Sequence, residues 1–407
     1  MTSSEDQLDR SYRALLKLPS IARLLAGMQL ARIAQSMVAI TIVLFALTAY
    51  NSTTLAGIVT FFSIFPGLLV SPIAGALLDR HGRTRLVTLD YLIALIALIL
   101  IGALALCGVL PAWLLIVIAG VASLTAPLSN TGLRSLFPII IPTHLWERVN
   151  AVDSTGYVAA VIVGPPLAAS MFALWGGPVT FIIIGVTYGL ATLVIAGTPD
   201  PQTATVSTGR IATDAWQSLI YTWRNRSLRG LGFCISTLNL ANGAFTIIVP
   251  ILVLHQLHYQ KTVVGLVVAV QGLTGVISAF VYGRHDTRDR ERMMLALPMF
   301  ATGITIALLL VKSNLVTLLL VMGITGALNG PIDIALFTLR QRRTDPGWTG
   351  RAFAVSMAFN YSGVPFGSAI AGVLASQSTG PAIAFCVVTS LISGLLALLM
   401  IPARKQD

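Results

Sequence analysis

A few polar and ionisable side chains stand in stretches that are otherwise greasy. They are Arg32, Gln35, Asn130, Arg134, Asp153, Asn239, Asn242, Asn329 and Asp333. A charge at the centre of an apolar helix in a bilayer costs about 2.5–3.5 kcal/mol, so one that persists there is a functional candidate. A carboxylate held in such surroundings can load and unload a proton near neutral pH. Arg, Asn and Gln beside it can hold the polar part of a small molecule. The expected chemistry is proton carriage and recognition inside a greasy pocket. Bond-making catalysis is not expected: there is no nucleophile–base arrangement, phosphate loop or metal cluster with usable spacing.

The elements that must position these groups follow from composition. Of 407 residues 56% are apolar and only 10% charged, against about 25% charged in ordinary soluble domains. A membrane span needs about 20 mostly apolar residues. Twelve such stretches lie near 25–49, 54–78, 87–109, 113–138, 149–174, 179–197, 229–254, 262–283, 293–311, 315–339, 352–375 and 381–402, numbered here as spans 1 to 12. They must be helices, because the bilayer offers backbone groups no other partner. The net charge of +11 is then topological. Of the 26 Lys and Arg, only Lys261 and Lys312 fall in outer loops and only Arg32 and Arg134 inside spans, Arg229 standing at the inner edge of span 7. The rest collect on one side, the signature of cytoplasmic loops. Both termini are expected there, with no cleavable signal peptide.

This topological reading displaces nucleic acid as the partner of the basic residues; some of them are expected against anionic lipid head groups. Cys107, Cys234 and Cys386 have neither metal-ligand nor redox spacing, and His255 with His258 make a poor zinc site. No cofactor is expected.

The chain divides into residues 1–197, a polar linker at 198–228 and residues 229–407. In the linker Ala212, Trp216, Leu219, Ile220 and Trp223 recur at helical spacing, which predicts an amphipathic helix on the inner membrane surface. The two halves look related. The segment 75–85 (GALLDRHGRTR) follows span 2 and 282–292 (YGRHDTRDRER) follows span 8, aligning Asp79 with Asp286 and Arg83 with Arg290. At one spacing of 203 residues, RVNAV at 148–152 matches RAFAV at 351–355, Gly164 matches Gly367, and Asn130 matches Asp333. Two six-span repeats with a site between them near the midplane is a transporter architecture.

The segment 75–85 also resembles the loop motif of the major facilitator superfamily, carried here by Gly75, Asp79, Arg80, Gly82, Arg83 and Arg85. The segments 136–169 and 345–355 are similar to a bacterial exporter branch that includes macrolide and multidrug efflux proteins and the enterobactin exporter. The resemblance implies an all-α membrane fold of twelve helices in two pseudo-symmetric six-helix bundles. Gly75 removes a side chain where helices approach, and Gly82 permits a tight turn. Asp79 is an anion for the N-terminus of a neighbouring helix, which the resemblance identifies as span 11. The arginines either latch the halves together or only set topology. In the second copy Tyr282 and Asp289 replace the two glycines, so a latch there is doubtful. Span 5 carries Gly156, Gly164 and Pro165, similar in part to the Gly-Pro motif of exporters; they form either a hinge or ordinary close packing.

The family fold places spans 1, 4, 7 and 10 around a central cavity, and Arg32, Arg134, Asn239 and Asp333 fall on those four spans. Arg134 matches the span-4 arginine of the superfamily's second motif, which implies a part in proton coupling; it could equally pair with Asp153. Asp90 and Asp153 either face the interior or cap helices near the surface. Some drug exporters place an acid in span 1, where this chain has Arg32 and Gln35, which leaves Asp333 the best proton carrier and Asp153 the second. The expectation is a monomeric secondary transporter of the bacterial inner membrane. It would export a hydrophobic or amphipathic small molecule by alternating access against protons. A lipid or lysolipid flippase, an importer of the same fold, and a sensor or scaffold that moves nothing are the rivals.

Overall fold

The computed structural model describes residues 11–198, 211–282, 290–345 and 349–402. Every regular element among them is helical. Ten helical segments are long and apolar enough to cross a membrane. One of them, Thr143–Ile195, is a hairpin of two crossings: Gly176 adopts φ 79° and turns span 5 into span 6 just before Pro178. A further crossing, span 11, is divided into Thr349–Tyr361 and Gly363–Leu374, each too short to span alone. With these two adjustments the chain makes the twelve crossings expected of it.

Spans 2, 4 and 11 differ from the unbroken helices the hydropathy predicts. Span 2 is Thr53–Phe62 and Phe65–His81; span 4 is Ala112–Ser123 and Ala126–Ile140. Each break lies just ahead of a proline, at Pro66, Pro127 and Pro365. Proline has no N–H and its ring crowds the preceding turn, so carbonyls there lose their helical donors. A hydroxyl at each break donates to a carbonyl of the turn before it: Ser63 to Thr60 O at 2.8 Å, Thr125 to Ala122 O at 3.1 Å, and Ser362 to Phe359 O at 2.6 Å. In lipid such internal replacement is what makes a broken helix tolerable. Gly82 links spans 2 and 3 at φ 90°, a conformation that glycine adopts without a steric penalty.

The halves meet most tightly at the end of the bundle opposite the termini. Spans 2 and 11 touch mainly through Thr53–Phe62 and Gly363–Leu374. A Cβ placed on Gly57 would lie 2.5 Å from Ser368 O and 3.0 Å from Gly372 Cα, so the two backbones are in contact. Thr53 donates to Gly372 O at 3.0 Å. Gly265 of span 8 packs on Pro166 and Ala169 of span 5. At the terminal end spans 2 and 11 make fewer contacts.

The linker helix runs from Ile211 to Arg224. Trp216, Leu219 and Trp223 point outward while Ser218 and Thr222 face the protein. Tyr221 hydroxyl donates to Asp345 Oδ2 at 3.0 Å, and Asn225 Nδ2 donates to Arg343 O at 2.8 Å. The helix is thus moored to the end of span 10.

Candidate functional site

Asp153 lies two turns into span 5, buried to 6% exposure, and is not a helix cap. Its carboxylate bridges two cations. Arg32 Nη2 donates to Oδ1 at 2.5 Å and Arg134 Nε to Oδ2 at 2.8 Å; Arg32 Nη1 also donates to the Asp153 carbonyl at 2.9 Å. The two guanidiniums differ in setting. The Arg32 side chain is 15% exposed and that of Arg134 46%. Both sit 5.8 Å from the ring centroid of Tyr157, one helical turn beyond Asp153 on the same face. Two positive charges against one negative leave the cluster cationic. A cavity of about 350 Å³ opens beside it, lined by Arg134, Phe137, Trp146, Val149, Asn150, Asp153 and Ser154.

The remaining polar groups of the first half are close by. Gln35 Nε2 donates to Asn130 Oδ1 at 3.4 Å, joining spans 1 and 4. Gly156 and Gly164 are the points where span 5 approaches span 1, against Gln29 and Ser36, and the helix continues through Pro165. Asp90 is buried two turns into span 3 beside the hydroxyls of Ser129 and Thr125, with Tyr91 and Tyr188 packed together next to it. It neither caps a helix nor reaches the Arg–Asp cluster.

In the second half Asn239 Nδ2 donates to Asn360 O at 2.9 Å, and Asn242 Nδ2 donates to Asn239 Oδ1 at 3.0 Å. Asn360 precedes the break of span 11, so Asn239 supplies a donor where the helix is interrupted. Asp333 stands on span 10, helix Leu315–Arg343. The exposed stripe of that helix toward lipid is Val316, Leu320 and Ile324. Asp333 lies half a turn round from Ile324 at 3.6 residues per turn, and is nonetheless exposed. That turns it away from the lipid-facing stripe, on the opposite face of span 10. Among the described residues no cation comes within ion-pair distance of it. Asn329 is one turn away and half-buried.

The loop motif is only partly visible. Gly82, Arg83 and Arg85 are described; the side chains of Gly75, Asp79 and Arg80 lie outside what the structure describes, as do Asp286 and Asp289 of the second copy. Tyr157 is a site residue that the sequence does not single out. The signal for Tyr157 was its position four residues after Asp153.

Residues 24–246 and 230–407 match the model of the Major Facilitator Superfamily. The chain belongs to that superfamily. It is a multi-pass membrane transporter by family and fold. It is 33% identical to an uncharacterized MFS-type transporter, y4rN, of Sinorhizobium fredii, over 96% of this chain and 97% of the relative. It is 25% identical to the multidrug efflux pump Tap of Mycobacterium tuberculosis, over 86% of each chain. In fold it is similar to a bacterial homologue of the iron transporter ferroportin in the inward-facing state, with a TM-score of 0.70, 16% identity, and 93% of this chain and 97% of that chain covered.

Proposed function

We propose that this protein exports a hydrophobic or amphipathic small molecule across the bacterial inner membrane in exchange for protons. The observation that carries this reading is the asymmetry of the polar wall. One half carries a cationic Arg32–Asp153–Arg134 cluster, and the other a carboxylate, Asp333, that has no cationic partner among the described residues. Asp153 is neutralised where it stands, which makes Asp333 the carboxylate free to take up and release a proton. Moving one charge through the membrane potential supplies about 2.3 kcal/mol per 100 mV, enough for export against a tens-fold gradient. The 25% identity to a multidrug efflux pump supports export and a drug-like cargo.

Both termini lie on the cytoplasmic side in this reading, which the Lys and Arg distribution supports. The halves, residues 1–197 and 229–407, are sealed at the far end by Gly57, Gly372 and Gly265, and the Arg–Asp cluster is reached from the cytoplasm. The loop motif from Gly75 to Arg85 latches the cytoplasmic ends in the opposite state, and Gly156, Gly164 and Pro165 give span 5 the close fit on span 1 about which it pivots.

The test is dye transport in inverted membrane vesicles with an imposed pH gradient. The parent is expected to accumulate dye in response to the gradient, and Asp333→Asn to lose that response. Transport by the parent that ignores the gradient refutes proton exchange. Equal responses from both proteins remove Asp333 from the mechanism.

A further inference from the structure

The two arginines on Asp153 are unequally engaged. Arg32 gives it both terminal nitrogens, Nη1 to the carbonyl at 2.9 Å and Nη2 to Oδ1 at 2.5 Å. Arg134 gives it only Nε, to Oδ2 at 2.8 Å. Among the described residues no acceptor takes a hydrogen bond from Arg134 Nη1 or Nη2. That side chain is 46% exposed and lines the cavity of about 350 Å³. Asn150 and Ser154, one turn apart on span 5, are exposed on the same cavity, and neither side chain is hydrogen-bonded to another described residue. The apolar part of the wall is Phe137 and the indole of Trp146, whose Nε1 donates to Ile141 O at 2.9 Å and so holds the ring in place.

We propose that this cavity holds the head group of the cargo and that the cargo is an amphipathic anion: a carboxylate, sulfonate or phosphate ester seated on the open edge of Arg134, with an aromatic or alkyl body along Trp146 and Phe137. This names the substrate class of the export reading above and rests on it. Asp153 is already satisfied, so the surplus positive charge of the cluster is the exposed one. The open edge of a guanidinium carries two parallel N–H groups that match two oxygens of one oxyanion. The pairing of Nε with Asp153 holds that edge in position before cargo arrives, which lowers the cost of ordering it. The Asn150 amide and the Ser154 hydroxyl supply further donors. A cationic cargo would meet like charge at Arg134, and an uncharged one would leave two donors without an acceptor. The cavity is at the small end of ligand sites, about 300–1,000 Å³, which suits a head group with a compact ring system.

The energetics of export agree. An anion leaving the cell and a proton entering it move charge across the membrane in the same sense. The membrane potential then drives both halves of the exchange.

The experiment compares three probes built on one ring system: naphthalenesulfonate, the uncharged naphthalenesulfonamide and the cationic naphthylmethylammonium. Binding is measured by calorimetry on the full chain in phosphatidylcholine nanodiscs, with no gradient. The parent is expected to bind the sulfonate at least about tenfold more tightly than the sulfonamide, the size of one hydrogen bond to a charged group, and the ammonium most weakly. Arg134→Gln is expected to erase that preference. Arg134→Lys, a point charge without the paired N–H groups, should keep only part of it. Equal binding of sulfonate and sulfonamide by the parent overturns the proposal, as does a preference that survives Arg134→Gln. The comparison of probes on the parent holds whether or not a variant folds.

Nanodiscs that also contain phosphatidylglycerol separate a soluble anion from a lipid. Unchanged sulfonate affinity supports a soluble cargo, while a marked loss means that a lipid phosphate occupies the cavity and overturns the cargo role. In inverted vesicles the parent is expected to accumulate radiolabelled naphthalenesulfonate, and Arg134→Gln to fail to do so. A sulfonate that binds but is not accumulated also overturns the cargo role. Accumulation that follows the membrane potential and ignores the pH gradient refutes proton exchange alone and still supports the anion site.

Discussion

Lys261, the first residue of span 8, holds its ammonium 4.9 Å from the ring centroid of Phe172 near the end of span 5. The two residues belong to different halves, so this cation–π contact closes the far end of the interface beside Gly265 and Ala169. With Phe172 buried and Lys261 half-buried, it contributes at least the roughly 0.5–1 kcal/mol of an exposed contact. Lys261→Ala is therefore expected to raise the population open at that end by roughly two- to fivefold. The measurement is labelling of Ala169→Cys by a membrane-impermeant maleimide added from outside, in a protein without its native cysteines. An unchanged labelling rate would deny Lys261 any part in the seal.

Gly57 sets a harder limit on the same seal. A methyl there meets the Ser368 carbonyl and the Gly372 Cα, both backbone, and neither can turn aside. Gly57→Val is expected to hold the far ends apart and slow transport by more than about tenfold, as overpacking a close helix contact costs about 1–3 kcal/mol. Gly120→Ala is the control. Its nearest neighbour would be Phe62 Cδ1 at 3.7 Å, an ordinary contact, so transport should stay near the parent rate. Similar losses in both variants would show that bulk anywhere in these helices is harmful and that the seal is not special.

The crossings were legible because lipid penalises polar groups so heavily that hydropathy and the placement of Lys and Arg locate them. The breaks in spans 2, 4 and 11 were not, although Pro66, Pro127 and Pro365 stood in plain view. Membrane helices tolerate proline, and Pro165 in span 5 does not interrupt its helix. Nor does a hydroxyl two or three residues earlier, as at Ser63, Thr125 and Ser362, mark a break by itself, since Ser135 precedes Pro138 by three residues in the unbroken helix Ala126–Ile140. The polar residues could be placed on spans but not paired. Whether Arg32 meets Asp153, 121 residues away, depends on how each helix is rotated about its axis, and packing decides that. Tyr157 passed unnoticed because a tyrosine in a span carries no insertion penalty that singles it out.

The two arginines on Asp153 should separate stability from transport. Arg32 is nearly buried and gives the carboxylate residue two hydrogen bonds, one to Oδ1 and one to its carbonyl. Removing it leaves a half-paired buried charge, and Arg32→Ala is expected to cost about 3 kcal/mol, the low end for breaking a buried pair. Arg134 is almost half exposed to the cavity, so water replaces it and Arg134→Ala should cost less than about 1 kcal/mol. Thermal unfolding in detergent compares them, and Arg32→Ala should show the larger fall in Tm. An equal or larger fall for Arg134→Ala would mean that the exposed arginine carries the structural load.

The linker helix Ile211–Arg224 gives a prediction about where the protein meets lipid. Its outward face holds Trp216, Leu219 and Trp223, while the side toward the protein carries Ser218 and Thr222. That inverts the usual arrangement of a surface helix in water, where the apolar face turns inward. The inversion is stable if the outward face meets the head-group boundary, where indole rings are favoured. Tyr221 and Asn225, bonded to Asp345 and Arg343, hold the helix at that depth by tying it to the end of span 10. Proteins retaining only Trp216 or only Trp223 should be quenched by lipids brominated high on the acyl chain more strongly than by lipids brominated near its end. Tyr221→Phe should weaken the shallow quenching, since the helix loses its tie to Asp345. Strong quenching by aqueous iodide, with none by either lipid, would place both rings in water and leave the exposed face unexplained by the membrane.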